Sequence, residues 1–317
     1  MISIGIDIGG TSVKLCAVNH DGKIIKRGSI KTNKSLSGEV FLSQIAQIIN
    51  KWKRGFNSKQ FVLGVGTAGD TDHKNGVLRL APNLPWKNLE VKKILQKLTG
   101  INCFVSNDAN MAAWGIYARE LEYRYKSLVI ITMGTGIGGG IIIDGKLWQG
   151  ANGSAGEIGH IKADFSKNAP VCGCKSRGCL ESFCGAAAVR RVILQAIKEE
   201  PKSLLAKLVN KKHEFNLAVL SEAAKLGDKT ALVLWNKTGM YLARGVVNAV
   251  LLLNPEAVVL AGGVSRGAKY FIDEMYNIFK KQFIRTPFEN LKLLISRETE
   301  VGAAGTALYA LSKFNEK

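Results

Sequence analysis

Acidic residues are scarce in this chain: 25 Asp and Glu stand against 44 Lys and Arg among 317 residues, a formal charge of +19. That imbalance predicts attraction to anions in general, whether nucleotides, polyphosphate or nucleic acid. The cations are scattered (Lys51, Lys53, Arg54, Lys92, Lys93, Lys97, Lys211, Lys212, Lys280, Lys281) and form no single arm. This is the pattern of a solvated basic surface, so no specific nucleic-acid partner is expected. Also missing is any run of about 18 apolar residues. Met1 to Asp7 has neither the basic region nor the long apolar stretch of a signal peptide. A cytoplasmic protein without membrane contact is therefore expected. Six cysteines are too few for a disulfide scaffold; Cys16 and Cys103 read as core residues of strands, and three others cluster at metal spacing, which fits a reducing compartment. No low-complexity linker divides the chain, yet its length and 46% hydrophobic content suggest two domains.

Hydrophobic periodicity supplies the elements. Strands are expected over 2–8, 13–19, 23–30, 61–67, 103–106, 128–133, 138–144, 147–148, 257–261 and 292–295. Helices are expected over 38–53, 89–98, 109–122, 186–198, 217–226, 229–253, 269–283 and 303–313, with a mobile helix pair in the Lys-rich stretch 201–214. The prolines around Asn83 predict an irregular loop. One pattern occurs twice: strand, Gly/Thr loop, strand, Asp-Gly turn, strand, first over residues 2–30 and again over 128–148. Such a duplication suggests two similar domains, each offering one Gly/Thr hairpin to a shared cleft. The expected boundaries are 1–118 for a small α/β domain, completed by a C-terminal helix 300–317, and 119–299 for a larger one.

Between Gly156 and Glu181 lie His160, Cys172, Cys174 and Cys179. Three thiolates and one imidazole complete a tetrahedral Zn²⁺ site with no position left for water, which is a structural zinc; reduced or disulfide-paired cysteines are the alternative. The segment around them is Gly-rich and polar, so metal would have to order it. Glu157, His160 and Glu181 flank the metal and suggest a polar ligand site. Elsewhere, Asp7-Ile8-Gly9-Gly10-Thr11 can present backbone N–H groups and a hydroxyl to phosphate, with Asp7 near a hydrated Mg²⁺. By itself such a hairpin is more often only a turn. Thr132, Gly134, Thr135 and Gly136 make a comparable nest, and Gly262-Gly263 a third glycine pair at a strand end. Asp108, where a strand gives way to a helix, reads either as a base or simply as the helix N-cap.

Taken together, Asp7-Ile8-Gly9-Gly10-Thr11, Asn107-Asp108, Gly156-Glu157-Ile158-Gly159-His160 and the run from Cys172 through Cys174 and Cys179 to Glu181 resemble the ROK family (repressors, open reading frames and sugar kinases) over essentially the whole chain. The resemblance implies two actin/hexokinase-like (ribonuclease H-like) α/β domains with mixed sheets flanking a cleft. It also implies ATP- and Mg²⁺-dependent phosphorylation of a hexose at its 6-hydroxyl, and a homo-oligomer, dimer or tetramer. In it Asp108 is the base, while Asn83, Asn107, Glu157, His160 and Glu181 hold sugar hydroxyls. Zinc takes His160, Cys172, Cys174 and Cys179, and Gly262-Gly263 borders the adenosine. Alternatives are an N-acetylhexosamine kinase or fructokinase, a polyphosphate-dependent glucokinase, or a sugar-responsive regulator without enzymatic activity. The family's repressors carry a DNA-binding helix-turn-helix ahead of the first phosphate loop, and only six residues precede Asp7 here, so a repressor is not expected. One departure stands out: Lys175 occupies a position where the family usually has glycine, so a different turn is expected there. Loss of zinc is expected to cost sugar affinity and to leave the phosphate hairpins largely untouched.

Overall fold

The computed structural model describes residues 1–298 and 301–316. Its strands are β1 (Ile2–Ile8), β2 (Ser12–Asn19), β3 (Ile24–Lys31), β4 (Phe61–Thr67), β5 (Asp70–Asp72), β6 (Val77–Leu80), β7 (Lys87–Leu89), β8 (Asn102–Asn107), β9 (Leu128–Met133), β10 (Ile137–Ile143), β11 (Lys146–Trp148), β12 (Ala257–Gly262) and β13 (Lys292–Ile295). The α-helices are α1 (Gly38–Gly55), α2 (Val91–Thr99), α3 (Asp108–Arg119), α4 (Glu181–Cys184), α5 (Ala186–Glu199), α6 (Leu204–Lys212), α7 (Leu217–Lys225), α8 (Lys229–Leu253), α9 (Ile272–Lys280), α10 (Thr286–Glu289) and α11 (Val301–Asn315).

Contacts divide the chain into two units. The first holds Met1–Arg124, Gly140–Gly156 and the C-terminal segment from Glu298; the second holds Tyr125–Gly139 and Glu157–Arg297. The expected division at residue 118 did not foresee the segment Gly140–Gly156 in the first unit. Side chains explain its place: Ser106 Oγ donates to Gln149 Oε1 at 2.5 Å, and Gln149 Nε2 donates to Tyr309 Oη at 3.0 Å. Glu300 and Lys317, the ends of the expected closing helix, lie outside the described residues.

The first unit is built on a sheet in the order β3-β2-β1-β4-β8, antiparallel through β1 to β3 and parallel through β1, β4 and β8. Strand β1 sits between two neighbours, and its isoleucines are almost wholly buried, as an interior strand requires. α1 starts at Ser37, whose hydroxyl accepts from Val40 N, and it buries Phe41, Leu42, Ile45 and Ile49 at helical spacing. α11 lies so close to the sheet that a Cβ on Gly5 or Gly64 would overlap its backbone carbonyls. A small antiparallel sheet, β5-β6-β7, lies between β4 and α2 and was not expected, while the irregular loop expected around Asn83 is present and joins β6 to β7. Its strands are only three or four residues long, and β5 reads Asp-Thr-Asp, so no apolar run announces them.

The other large sheet has the order β11-β10-β9-β12-β13. In the second unit β9 and β12 pair in parallel, as do β12 and β13. α8 begins at Asp228, which caps Ala231 N at 2.7 Å, and ends at Asn254 in the left-handed region before Pro255. The stretch 201–214 forms one helix in place of the expected pair: Ser203 caps it and His213 ends it in a left-handed turn. The expected helix 269–283 breaks at Phe271, buried in the core, with a 3₁₀ turn over Val264–Tyr270 on one side and α9 on the other.

Candidate active site and metal centre

In the first unit, the hairpin between β1 and β2 is closed by Thr32. The Thr32 hydroxyl donates to Gly9 O at 2.7 Å and its N–H donates to Thr11 O at 3.0 Å, while Gly9 N–H donates to Ser12 O at 3.1 Å. Thr11 is left exposed. Asp7 stands opposite Lys14 on β2 and Gly66 on β4. Burial lifts its carboxyl from 3.8 to about 6; the nearby charge of Asp108 pushes the same way and Lys14 opposes it. Asn107 takes the cap of α3, with Oδ1 accepting from Ala109 N at 2.8 Å and Asn110 N at 3.3 Å and Nδ2 donating to Gly69 O at 3.0 Å. Asp108 is therefore the first helical residue, not the cap. Its Oδ1 accepts from Ala109 N at 2.9 Å, and burial raises its pKa while that bond partly lowers it. Two neighbouring carboxyls disfavoured as anions leave this corner short of positive charge, which fits a hydrated divalent cation. Asn83 is exposed beside the same hairpin: a Cβ on Gly10 would come within 3.2 Å of the Asn83 Cβ.

In the second unit, the hairpin between β9 and β10 folds on a bond from Gly134 N to Gly136 O at 2.9 Å, and Ala186 N donates to Gly134 O at 3.3 Å. Thr132 lies in β9 and Thr135 is exposed at the tip. Ile137 N donates to Glu181 Oε2 at 2.8 Å. Gly262, at φ +93°, ends β12 opposite Met133, and Gly263 follows it; both are exposed.

His160, Cys172, Cys174 and Cys179 converge, with their ligand atoms all within 4.8 Å of one another. Cys172 Sγ lies 3.7 Å from His160 Nδ1, and Cys174 Sγ lies 3.7 Å from Cys179 Sγ. Zinc–ligand bonds at tetrahedral angles would set sulfurs about 3.8 Å apart and sulfur from nitrogen about 3.6 Å apart, so these two pairs stand at zinc-binding separations and the donor types suit Zn²⁺. His160 Nε2 faces the other way, 3.9 Å from Glu157 Oε2. Around the cluster, Cys172 N bonds to Ser176 O at 2.8 Å and Lys175 N to Cys172 O at 2.9 Å. Lys175 takes φ +69°, so the lysine adopts the left-handed conformation that glycine would adopt without strain. Glu181 is not free of the metal loop or of the hairpin: Oε1 lies 3.3 Å from Cys172 Sγ while Oε2 holds Ile137 N. The expectation that both phosphate hairpins stand apart from the loop is thus corrected for the second one.

The chain matches the ROK family over residues 3–313. It belongs to that family. A glucokinase of Thermotoga maritima is 35% identical over 84% of this chain and 83% of its own length. The structure of a ROK family glucokinase from Streptomyces griseus in complex with glucose and AMPPNP aligns with a TM-score of 0.80 at 28% identity, covering 98% of this chain and 100% of that one. A xylose repressor of Caldicellulosiruptor bescii is 29% identical over 93% of this chain and 74% of its own length. The mixed α/β architecture of this ROK protein is the actin/hexokinase-like fold.

Sequence reasoning missed two residues at the ROK hairpins. Lys34 Nζ would lie 3.9 Å from a Cβ on Gly10, and Thr32 ties the turn to β3. A threonine just past the third strand of the meander was the available signal for Thr32; nothing in the spacing singled out Lys34 among 44 cations.

Proposed function

We propose that this ROK sugar kinase transfers the γ-phosphoryl group of ATP to the 6-hydroxyl of a hexose, with glucose the leading substrate. The observation that carries the reading is Asp108, a carboxylate fixed at the first turn of α3 by the Asn107 cap and raised in basicity by burial. As the sugar O6 attacks the γ-phosphorus, the new O–P bond forms, the bond to the β,γ-bridging oxygen breaks, and its electron pair leaves with ADP. The proton on O6 passes to Asp108. A base whose pKa is raised toward the working pH accepts that proton more readily than an ordinary carboxylate.

In the first unit Asn83 and Asn107 hold sugar hydroxyls, while Asp7, Gly9, Gly10 and Thr11 hold phosphate. In the second unit Glu157, His160 and Glu181 serve the sugar, Thr132, Gly134, Thr135 and Gly136 the phosphates, and Gly262 and Gly263 border the adenosine. Mg²⁺ near Asp7 would neutralise the phosphate charge, and zinc on His160, Cys172, Cys174 and Cys179 would order the loop that carries the two glutamates. Assaying glucose, fructose, allose, N-acetylglucosamine and N-acetylmannosamine with ATP in a coupled ADP assay tests the reading; turnover confined to an N-acetylated sugar, or none with any sugar, defeats the glucose assignment. The charge of +19 makes polyphosphate the donor to compare with ATP. Turnover with polyphosphate alone, falling steeply with salt, would reverse the choice of donor.

A further inference from the structure

Glu181 follows the last cysteine of the metal cluster by only two residues, and the segment is tightly bonded. Ser182 N and Ser182 Oγ both donate to Cys179 O, at 2.9 and 2.7 Å. The short helix α4 then places the Glu181 carboxylate against the hairpin, where Oε2 accepts from Ile137 N at 2.8 Å. A second bond, Ala186 N to Gly134 O at 3.3 Å, grips the other side of the same turn. A Cβ on Gly136 would overlap Glu181 Oε2, so a side chain there would push the carboxylate aside. The other carboxylate oxygen lies 3.3 Å from Cys172 Sγ. One side chain thus touches a metal ligand and the hairpin backbone at once.

We propose that Glu181 is a positioning residue that couples the zinc loop to the second phosphate hairpin, so that metal occupancy sets the affinity for nucleoside triphosphate as well as for sugar. The proposal rests on the phosphate role given above to Gly134, Thr135 and Gly136. A phosphate nest works only while its N–H groups converge, and the Ile137 N–H is directed by its bond to Glu181. Releasing the cluster frees residues 172–181 and with them the acceptor that shapes the nest. The hairpin of the first unit has no such dependence, because Thr32 of its own meander closes it.

The test measures zinc content, AMPPNP affinity by calorimetry without sugar, and hydrogen exchange over 134–139 and 9–12, on wild type, Glu181→Ala, Glu181→Gln and chelator-stripped wild type. Glu181→Ala should keep its zinc and bind AMPPNP about tenfold more weakly. Glu181→Gln retains an oxygen that can accept from Ile137 N–H, and it should stay within about threefold of wild type. Stripping the metal should weaken AMPPNP similarly and speed exchange over 134–139 while leaving 9–12 unchanged. An unaltered AMPPNP affinity in zinc-retaining Glu181→Ala, or unaltered exchange over 134–139 after stripping, overturns the coupling. If wild type binds no AMPPNP, the nucleotide reading of the hairpin fails instead. Exchange alone then decides whether the metal loop holds it: faster exchange after stripping supports the mechanical tie and unchanged exchange sinks it.

Discussion

The two large sheets share one plan and differ in what secures it. Each is a three-stranded antiparallel meander, β1 to β3 or β9 to β11, whose first strand is continued in parallel by β4 and β8 or by β12 and β13. At the penultimate position of the leading strand the first sheet has Asp7 and the second has Thr132. The first turn is fastened from within its own meander, by Thr32, 23 residues beyond Gly9. The second is fastened from outside, by Glu181, 44 residues beyond Ile137. A repeated topology thus differs in two respects: one copy has a carboxylate near the end of its leading strand, and the turn of the other is fastened by a glutamate just beyond the Cys/His cluster.

The sharpest way to separate the copies is through the charge that only the first carries. Asp108→Asn should lower turnover at least about a hundredfold and leave sugar binding within about tenfold. It should also abolish the acid limb of the pH–rate profile, since the wild-type base must be ionised to work. Near-normal turnover would remove Asp108 from the mechanism.

Asp7 tests the same asymmetry through stability. Its folded pKa of about 6 lies above the unfolded 3.8, so the charged form is the costly one. The cost is absent below pH 3.8, grows between there and pH 6, and is complete above. Asp7→Asn should therefore stabilise the protein in the absence of Mg²⁺ and nucleotide by up to about 3 kcal/mol at pH 8, with little gain at pH 4, while impairing activity. Equal gains at both pH values would contradict the burial argument.

Cys174→Ala addresses the second copy. It should abolish zinc binding and raise the sugar KM about tenfold or more, with first-hairpin exchange unaffected. Normal sugar affinity in a zinc-free variant would reduce the metal to a remote clip. The smallest effect is expected at Lys175→Gly, which relieves the left-handed lysine and should raise the stability of the zinc-loaded protein by about 0.5–1 kcal/mol, read as a rise in Tm. A fall would mean that the lysine side chain contributes more than its backbone costs.

Much of this comparison was legible in the residue pattern. The strand, Gly/Thr loop, strand, Asp-Gly, strand order over 2–30 and 128–148 corresponds to the two meanders, because apolar alternation and turn glycines are local signals. The ligand spacing from His160 to Cys179 likewise anticipated a converging cluster. What escaped was non-local or brief. The strands β5 to β7 are too short and polar to announce themselves. The bond from Ile137 N to Glu181 links segments whose proximity only the folded sheet creates, and Gly136 looks like any other turn glycine until that carboxylate lies against it.

The close seat of α11 has a consequence for the order of events in biosynthesis. Ser3 Oγ donates to Ala307 O at 2.6 Å across a separation of 304 residues, and the helix backbone rests where Gly5 and Gly64 leave room. Strand β1 must wait for a helix that leaves the ribosome about 300 residues later before its apolar face on that side is covered. During synthesis the second unit, continuous from Glu157 to Arg297 apart from its opening strand, can bury its own core while β1 and β4 are still exposed. The nascent first half is accordingly the stretch exposed longest to misassociation, and the one for which chaperone protection has the most to prevent.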